Sequence, residues 1–240
     1  MIEQLYGLIG YPLSHSFSKA YFAKKFEALG ITNKYYESFP LEKIAHFPNL
    51  LQQHKNLVGL NVTIPYKEKI FPFLDEIDEA AEKIGAVNTI KIAKNGKTKG
   101  FNTDVYGFEH SLRPLLRKNH RFALILGTGG AAKAVRYVLE KCEIDYKMVS
   151  RRPKKNEVSY EEIDAKVLKK YHLIINTTPL GMSPKVETCP NLPYENLTNQ
   201  HFLYDLVYNP TETVFLQKGK QQGAIIKNGL EMLHLSLIHI

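Results

Sequence analysis

A five-residue apolar run followed directly by a glycine-rich turn is the feature that most limits the fold of this chain. Residues 122–126 read FALIL, and residues 127–132 read GTGGAA. A continuous apolar run of this length is typical of a parallel strand that is covered on both faces. The small residues after it favour a tight turn into a helix, which we expect from about Gly130 to Lys141. The second half of the sequence therefore predicts a βαβ unit of the dinucleotide-binding type.

The glycine turn has the spacing GxGxxA. The first glycine permits the tight turn, the second lets a pyrophosphate approach the backbone, and the small third residue lets helix and strand pack closely. The start of the following helix supplies free amides and a positive dipole. We expect the cofactor to contact this turn, which comprises Gly127, Gly129, Gly130, Ala131 and Ala132.

The end of the second strand of this unit decides between the two nicotinamide cofactors. An NAD site usually has an acidic residue here that binds the ribose 2′-hydroxyl, but this chain has Ser150-Arg151-Arg152. An arginine pairs with a 2′-phosphate through a planar, charge-assisted fork. The sequence therefore predicts NADP as the cofactor, with Ser150, Arg151 and Arg152 near the 2′-phosphate. A solvated loop charge is the open alternative for both arginines.

The composition excludes several classes of protein. The 240 residues are 44% hydrophobic and 23% charged, which is typical of a globular protein. The N-terminus lacks the basic and then apolar run of a signal peptide, and no apolar stretch approaches 18 residues. Cys142 and Cys189 are far apart and the histidines lack an HExxH spacing, so we expect reduced thiols, no metal site and a cytoplasmic protein.

The net charge of +8 has two possible meanings. A nucleic-acid-binding protein concentrates its basic residues in a stripe with aromatic residues between them. Here the basic residues are spread along the chain and are dense only at residues 151–155 and 166–170. We therefore expect no nucleic-acid partner, and we attribute the charge to an enzyme that handles anionic substrates and phosphates.

Strand-like and helical segments alternate along the whole chain, which predicts an α/β protein with a domain boundary near Asp104. Asn95-Gly96 predicts a hairpin. The expected strands are 5–9, 34–39, 57–63, 87–92, 98–101, 122–126, 146–149, 173–176 and 202–205. The expected helices are 18–29, a stretch that starts at Pro65, 75–84, 104–117 and 130–141.

Polar residues in the first half are hard to explain by packing alone. Ser14 and Ser16 form an i, i+2 pair, as do Asn61 and Thr63, and Lys67, Asn88 and Asp104 complete the set. Taken singly, each has an ordinary structural explanation, such as a helix cap or a solvated charge. Together they supply hydroxyls, amides, one ammonium and one carboxylate at strand ends, where open α/β sheets bind ligands.

Eight motifs in order along the chain resemble those of the shikimate dehydrogenase family. They are GYPLSHSFS, GLNVTIPYK, GAVNT, GFNTDVYG, GTGGAAKA, NTTPLGM, DLVYNPTET and NGLEML. The resemblance implies an N-terminal α/β substrate-binding domain, residues 1–104 with 229–240, and a Rossmann-type doubly wound NADP domain, residues 105–228, with a cleft between them. It also implies NADP-dependent, reversible reduction of 3-dehydroshikimate to shikimate, a step of aromatic amino-acid biosynthesis.

The resemblance also assigns roles by position. Lys67 and Asp104 match the catalytic pair, in which the carboxylate holds the ammonium in place. Ser14 and Ser16 match residues that bind the substrate carboxylate. Asn61, Thr63, Asn88 and Asp104 match residues that hold ring hydroxyls, and Tyr208 matches a substrate-side tyrosine. Thr178 and Gly229 match positions that line the nicotinamide.

Two other functions stay open at this stage. The first is a quinate/shikimate dehydrogenase of the same fold. The second is a non-catalytic ligand-binding homologue, because the chain ends soon after Ser236, where the resemblance implies a glutamine and a longer helix. The sequence does not decide between a monomer and a homodimer.

Overall fold

The computed structural model describes residues 3–13 and 18–237 and confirms the α/β class. By their contacts the described residues form two compact units, one up to Thr103 and one from Asp104 onward. The grouping of residues 229–240 with the first half in one substrate-binding domain stays a prediction.

The first unit is built on a mixed six-stranded sheet of order β2-β1-β3-β5-β6-β4. Strands β1, β2 and β3 run parallel, whereas β5 is antiparallel to both β3 and β6. The strands are β1 (Gln4–Gly10), β2 (Lys34–Pro40), β3 (Leu57–Val62), β4 (Glu76–Ile77), β5 (Thr89–Ile92) and β6 (Thr98–Phe101). The helices are α1 (Ser18–Ala28), α2 (Phe47–Gln53) and α3 (Glu79–Ile84).

Two predictions in the first unit are wrong. The stretch after Pro65 forms turns and a short 3-10 helix, Phe71–Phe73, because the Lys67 carbonyl accepts the Val87 amide instead of continuing a helix. The helix predicted from Asp75 begins only at Glu79. Asp75 instead accepts the Thr98 amide and hydroxyl, both at 2.8 Å, and this places β4 beside β6.

The second unit is built on a six-stranded sheet of order β12-β11-β10-β7-β8-β9, in which every neighbouring pair is parallel. The strands are β7 (Phe122–Leu126), β8 (Asp145–Val149), β9 (Glu157–Val158), β10 (Leu173–Asn176), β11 (Phe202–Asp205) and β12 (Ile225–Lys227). The helices are α4 (Asp104–Leu112), α5 (Gly130–Lys141), α6 (Ala165–Lys170), α7 (Val214–Gln221) and α8 (Leu230–Leu237). Counted from β7, this is the strand order 3-2-1-4-5-6 of the doubly wound dinucleotide-binding fold.

Burial explains why the central strands of this sheet are apolar throughout. Leu124, Ile125, Ile174 and Ile175 are fully buried, since helices cover both faces of a parallel sheet. The helix predicted to reach Arg117 ends at Leu112 and continues as a 3-10 turn, Arg113–Leu115, because Pro114 has no amide to continue the α-helical ladder.

Helices α4 and α8 approach each other closely within the second unit. A Cβ on Gly107 of α4 would lie 2.3 Å from the carbonyl oxygen of Met232 in α8, so glycine is what allows this distance. The contact brings Ser236 next to the first turn of α4. The two helices therefore place Ser236 beside Asp104.

Candidate functional site

A group of polar residues lies at the end of the first sheet where β3 ends and β5 begins. Asn61 is near the end of β3 and pairs with Thr89 at the start of β5. Thr63 and Lys67 follow β3, and Asn88 precedes β5. We call Asn61, Thr63, Lys67 and Asn88 the polar edge. The structure therefore brings together the four predicted site residues of this unit that it describes.

Asn88 is held firmly within the polar edge. Its side chain is buried, its Oδ1 accepts the Thr103 amide at 2.8 Å, and its Nδ2 lies 3.0 Å from the Thr103 hydroxyl. Its own amide and carbonyl bond to Phe101 and Val62. Since a buried amide with these partners cannot turn without breaking several bonds, Asn88 joins the ends of β3 and β6 rigidly.

The other members of the polar edge are each held by at least one hydrogen bond. Asn61 is buried, and its Oδ1 accepts a hydrogen bond from the hydroxyl of Tyr36. The Thr63 amide donates to Ile9 at 2.9 Å, which places Thr63 beside the end of β1. Lys67 is half-buried and is fixed through its carbonyl, which accepts the Val87 amide at 2.8 Å. Ser14 and Ser16 lie outside the described residues.

Asp104 opens helix α4 in the second unit. Its side chain is only 9% exposed, and its Oδ1 accepts a hydrogen bond from the Ser236 hydroxyl at 3.2 Å. An acidic residue in the first turn also interacts favourably with the helix dipole. The position of Asp104 is thus fixed by α4 and α8 together.

The glycine turn after β7 has the geometry that the sequence predicted. Gly127 has a φ of +105°, and a Cβ there would lie 2.8 Å from the Thr177 hydroxyl, so this position requires glycine. Gly129 caps α5 in an extended conformation, and its missing Cβ faces open space. Ala132 is fully buried against the sheet. Gly130 and Ala131 form the first turn of α5, so the amides at this helix start are available to an anion.

The loop after β8 presents two exposed arginines. The Ser150 amide bonds to the carbonyl of Val158, and the Ser150 hydroxyl accepts the Arg152 amide at 3.2 Å. Arg151 and Arg152 are both exposed at this end of the sheet. Burial raises the pKa of the nearby Tyr160 phenol, and the positive charge of Arg151 opposes that rise. The loop therefore carries its charge beside a partly buried aromatic ring.

A buried network joins the ends of β10 and β11, and Thr178 is the one member of it that the sequence analysis named. Asn176 donates to Asp205 at 2.9 Å, and its Oδ1 accepts from the Thr178 amide and hydroxyl at 3.0 and 2.6 Å. The Thr213 hydroxyl donates to Asp205 at 2.5 Å. Burial raises the pKa of the Asp205 carboxyl to about 6, against the effect of these donors. Asn176 and Asp205 are the last residues of the buried strands β10 and β11, and a polar residue in this position is the sequence signal that points to them.

Two further positions in the second unit were predicted from the resemblance. Tyr208 is half-buried, and burial raises the pKa of its phenol. Gly229 is packed so closely that a Cβ would lie 2.2 Å from the carbonyl oxygen of Leu206. The roles of Tyr208, Gly229 and Thr178 toward a ligand stay predictions.

The described part of the chain contains neither a candidate metal centre nor a helix that could span a membrane. Residues 3–13 and 18–237 contain no group of three or more His, Cys, Asp or Glu side chains that could hold a metal ion. Among the same residues, no helix has the length and apolar character needed to cross a bilayer.

The fold and the glycine turn define a dinucleotide-binding α/β protein of the doubly wound type. The family model for the shikimate dehydrogenase substrate-binding domain matches residues 8–90. The shikimate dehydrogenase (NADP(+)) of Methanosphaera stadtmanae is 39% identical, and the alignment covers 95% of this chain and 86% of that protein. The chain belongs to the shikimate dehydrogenase family.

Two solved structures support the same conclusion. The shikimate dehydrogenase of Aquifex aeolicus is 34% identical with a TM-score of 0.85, and the match covers 99% of this chain and 90% of that one. The shikimate 5-dehydrogenase of Thermus thermophilus, solved in complex with NADP(H) and shikimate, is 30% identical with a TM-score of 0.84. That match covers 97% of this chain and 90% of that one.

Proposed function

We propose that this chain is an NADP-dependent shikimate dehydrogenase that reversibly reduces 3-dehydroshikimate to shikimate in aromatic amino-acid biosynthesis. The observation that carries the proposal is the polar edge, which gathers buried amides, a hydroxyl and one ammonium group in a chain of this family. We place the enzyme in the cytoplasm, as a monomer or homodimer, with no nucleic-acid partner.

The substrate contacts follow from the residue types. Ser14 and Ser16 bind the carboxylate through their hydroxyls. Ring hydroxyls both donate and accept hydrogen bonds, so amides and hydroxyls can pair with them, and a carboxylate can accept their protons. These partners are Asn61, Thr63, Asn88 and Asp104, with Tyr208 as a further contact.

Lys67 and Asp104 are the catalytic residues of the proposal. NADPH, when bound, would supply a hydride for the substrate carbonyl carbon, and the electron pair of the C=O double bond would move to oxygen. The Lys67 ammonium donates a proton to that oxygen and becomes a neutral amine, so the product is an alcohol. In the oxidation direction, the neutral amine takes the hydroxyl proton back. The Asp104 carboxylate accepts a hydrogen bond from a hydroxyl of the substrate.

The residues of the second unit suit NADP. The open space at Gly129 and the free amides at the start of α5 accommodate a pyrophosphate. The exposed guanidinium groups after β8 suit a 2′-phosphate. The cofactor-binding residues of the proposal are Gly127, Gly129, Gly130, Ala131, Ala132, Ser150, Arg151, Arg152, Thr178 and Gly229.

The proton-donor role is tested by Lys67→Ala, with Lys69→Ala as the matched control because Lys69 is exposed in the same turn. We expect kcat for shikimate oxidation to fall by about 10²–10⁴-fold in Lys67→Ala, since a general acid–base group typically contributes that much. The control should stay near the wild-type rate, and the Kd for NADPH should not change in either variant. Near-normal turnover in Lys67→Ala would contradict the role.

The cofactor assignment is tested by Arg151→Ala, with the exposed Lys155→Ala as a control for general loss of positive charge. Hydrogen bonds to charged groups contribute about 1.5–3 kcal/mol, so the Kd for NADPH should rise by roughly 10–100-fold. The Kd for NADH should stay nearly constant, because NADH has no 2′-phosphate. Equal losses for the two cofactors, measured by fluorescence titration, would show that Arg151 does not recognise that phosphate.

A further inference from the structure

Tyr36 and Asn61 meet across strand β1 of the first sheet. Tyr36 lies on β2 and Asn61 on β3, and β1 runs between these strands. The register pairs Tyr36 with Tyr6, and Asn61 with Leu8 two residues further along β1, so both side chains stand on the same face. The Tyr36 hydroxyl oxygen is 2.5 Å from Asn61 Oδ1, and both residues are buried. The contact therefore joins two buried side chains across two strand spacings.

The direction of this hydrogen bond follows from the chemistry of the two groups. An amide oxygen can only accept, so the phenol must donate its proton to Asn61 Oδ1. A hydrogen bond from Ser18 favours the ionised form of the phenol, which means that Ser18 donates to the same phenol oxygen. Burial is the larger effect and raises the pKa of Tyr36, so the proton stays on the phenol.

The Tyr36 ring is also held in place. It stacks on Phe22 with a centroid distance of 4.4 Å and an interplanar angle of 13°. Stacking, burial and two hydrogen bonds leave the hydroxyl a single orientation. Because its Oδ1 is engaged by a rigid donor, Asn61 cannot exchange the positions of its oxygen and nitrogen without facing N–H groups toward the phenol proton.

We infer that Tyr36 is a positioning residue that fixes the Asn61 amide so that only its Nδ2 group faces the ligand. This inference rests on the proposed function, in which Asn61 contacts the substrate. Within residues 3–13 and 18–237, Asn61 Nδ2 donates to no protein acceptor. Asn61 therefore acts toward the substrate as a donor only. Its Nδ2 group donates to the oxygen of a substrate ring hydroxyl. The proton of that hydroxyl must then bond to a different acceptor.

The first test is Tyr36→Phe, which removes the hydroxyl and keeps the ring that stacks on Phe22. We expect the KM for shikimate to rise roughly tenfold, as for a buried acceptor that has lost its donor. The KM for NADP+ and kcat should remain within about twofold, within the usual scatter of such contributions. Tyr35→Phe is the matched control, because the neighbouring Tyr35 is exposed and its hydroxyl contacts Thr32 instead. An unchanged KM in Tyr36→Phe would overturn the inference.

A double-mutant cycle shows whether Tyr36 acts through Asn61. In an Asn61→Ala background, Tyr36→Phe should cause no further rise in the KM for shikimate, because the amide that it positions is gone. Additive effects would mean that Tyr36 stabilises the fold independently, and the inference would fail. Shikimate-induced change in Tm provides the same comparison without turnover.

Asn61→Asp tests the orientation of the amide. The carboxylate can still accept from Tyr36, but it offers the ligand an acceptor in place of N–H groups. We expect a KM for shikimate at least as high as in Tyr36→Phe, whereas near-normal binding would mean that the amide oxygen faces the ligand. Absence of shikimate oxidation by the wild-type enzyme would refute the proposed function itself. An active wild type with insensitive variants would refute only the role of Tyr36.

Discussion

The two ends of the sheet in the second unit both contain buried polar groups, but they differ in chemistry. The carboxyl end carries the glycine turn after β7 and the Asn176–Asp205 network after β10 and β11. The amino end carries three histidines, His120, His172 and His201, just before β7, β10 and β11. One end thus combines an open turn with a buried acid, whereas the other holds imidazole rings between loops.

At the carboxyl end, the buried acid has only neutral donors. Asp205 is fully buried and accepts from Asn176, Thr213 and the Val207 amide. No cation pairs with it among the residues that the structure describes. Burial therefore outweighs the donors and raises the pKa of the carboxyl to about 6.

At the amino end, main-chain groups hold the rings neutral. The Arg117 amide donates to His120 Nδ1 at 3.0 Å, and the Thr198 amide donates to His201 Nδ1 at 2.9 Å. A protonated imidazole has N–H at both nitrogens, so it would oppose these donors. Burial lowers the pKa of both rings, and the positive charge of Arg117 contributes to the decrease at His120.

The two ends therefore respond to acid in opposite directions. A group whose folded pKa is raised, such as Asp205, stabilises the fold at low pH, and this contribution is lost as the pH rises through about 6. Histidines whose folded pKa is lowered stabilise the fold above the unfolded pKa of about 6.5, and this contribution is lost as the pH falls. The partners of a buried group, and not burial alone, decide which protonation state the fold accepts.

The largest expected effect is at the glycine turn of the carboxyl end. In Gly127→Ala, a side chain must adopt a φ of +105° and contact the Thr177 hydroxyl, which should cost about 2–5 kcal/mol in the free energy of unfolding. Gly129→Ala is the matched control, because its φ is −83° and its Cβ would face open space. Urea denaturation measures both costs.

The same pair separates the stability of the turn from its approach to the cofactor. Gly129→Ala should keep the stability within about 1 kcal/mol of wild type, the ordinary range for a compatible glycine substitution. It should nevertheless weaken NADPH binding, because its new methyl group lies where a pyrophosphate approaches the backbone. Normal NADPH affinity in a stable Gly129→Ala variant would show that the cofactor does not use this surface.

Local sequence patterns were sufficient to predict the strand and the helix on either side of the glycine turn. The apolar run Phe122–Leu126 and the helix Gly130–Lys141 match the structure at both ends, since full burial and a glycine turn leave few alternatives. The short strands Glu157–Val158 and Ile225–Lys227 were not predicted. Each has only two or three residues and is defined by pairing with the preceding strand, without a sequence pattern of its own.

The candidate site shows the same limit. Residue types and the resemblance placed Asn61, Lys67 and Asn88 at strand ends, where the structure has them. Neither pointed to Tyr36, because its role depends on a contact across β1 that no local spacing encodes. The helix predicted from Asp75 was wrong for a related reason. The Asp75 carboxylate accepts hydrogen bonds from Thr98, which lies on β6 and is distant in sequence.

An intermediate effect is expected at the buried acid. In Asp205→Asn, the amide oxygen can accept from Asn176 and Val207, while its nitrogen can donate to the Thr213 hydroxyl. The variant should lose the stability change between about pH 4 and 6, and at pH 7.5 it should be more stable than wild type by up to about 3 kcal/mol. The exposed Asp145→Asn is the control. Lower stability of Asp205→Asn at pH 7.5 would show that the three donors outweigh burial.

The smallest expected effect is at the amino end, in His201→Asn. The asparagine oxygen can still accept the Thr198 amide, but the hydrogen bond between the ring and the Leu168 carbonyl is lost. We expect a loss of about 1–2 kcal/mol in the free energy of unfolding at pH 7.5.

Below pH 6.5 the wild type should lose stability more steeply than the variant, because the variant has no ring to protonate, and the difference between them should narrow. The exposed His110→Asn should leave this slope unchanged. Parallel stability curves for His201→Asn and wild type from pH 7.5 to 5 would remove the contrast between the two ends.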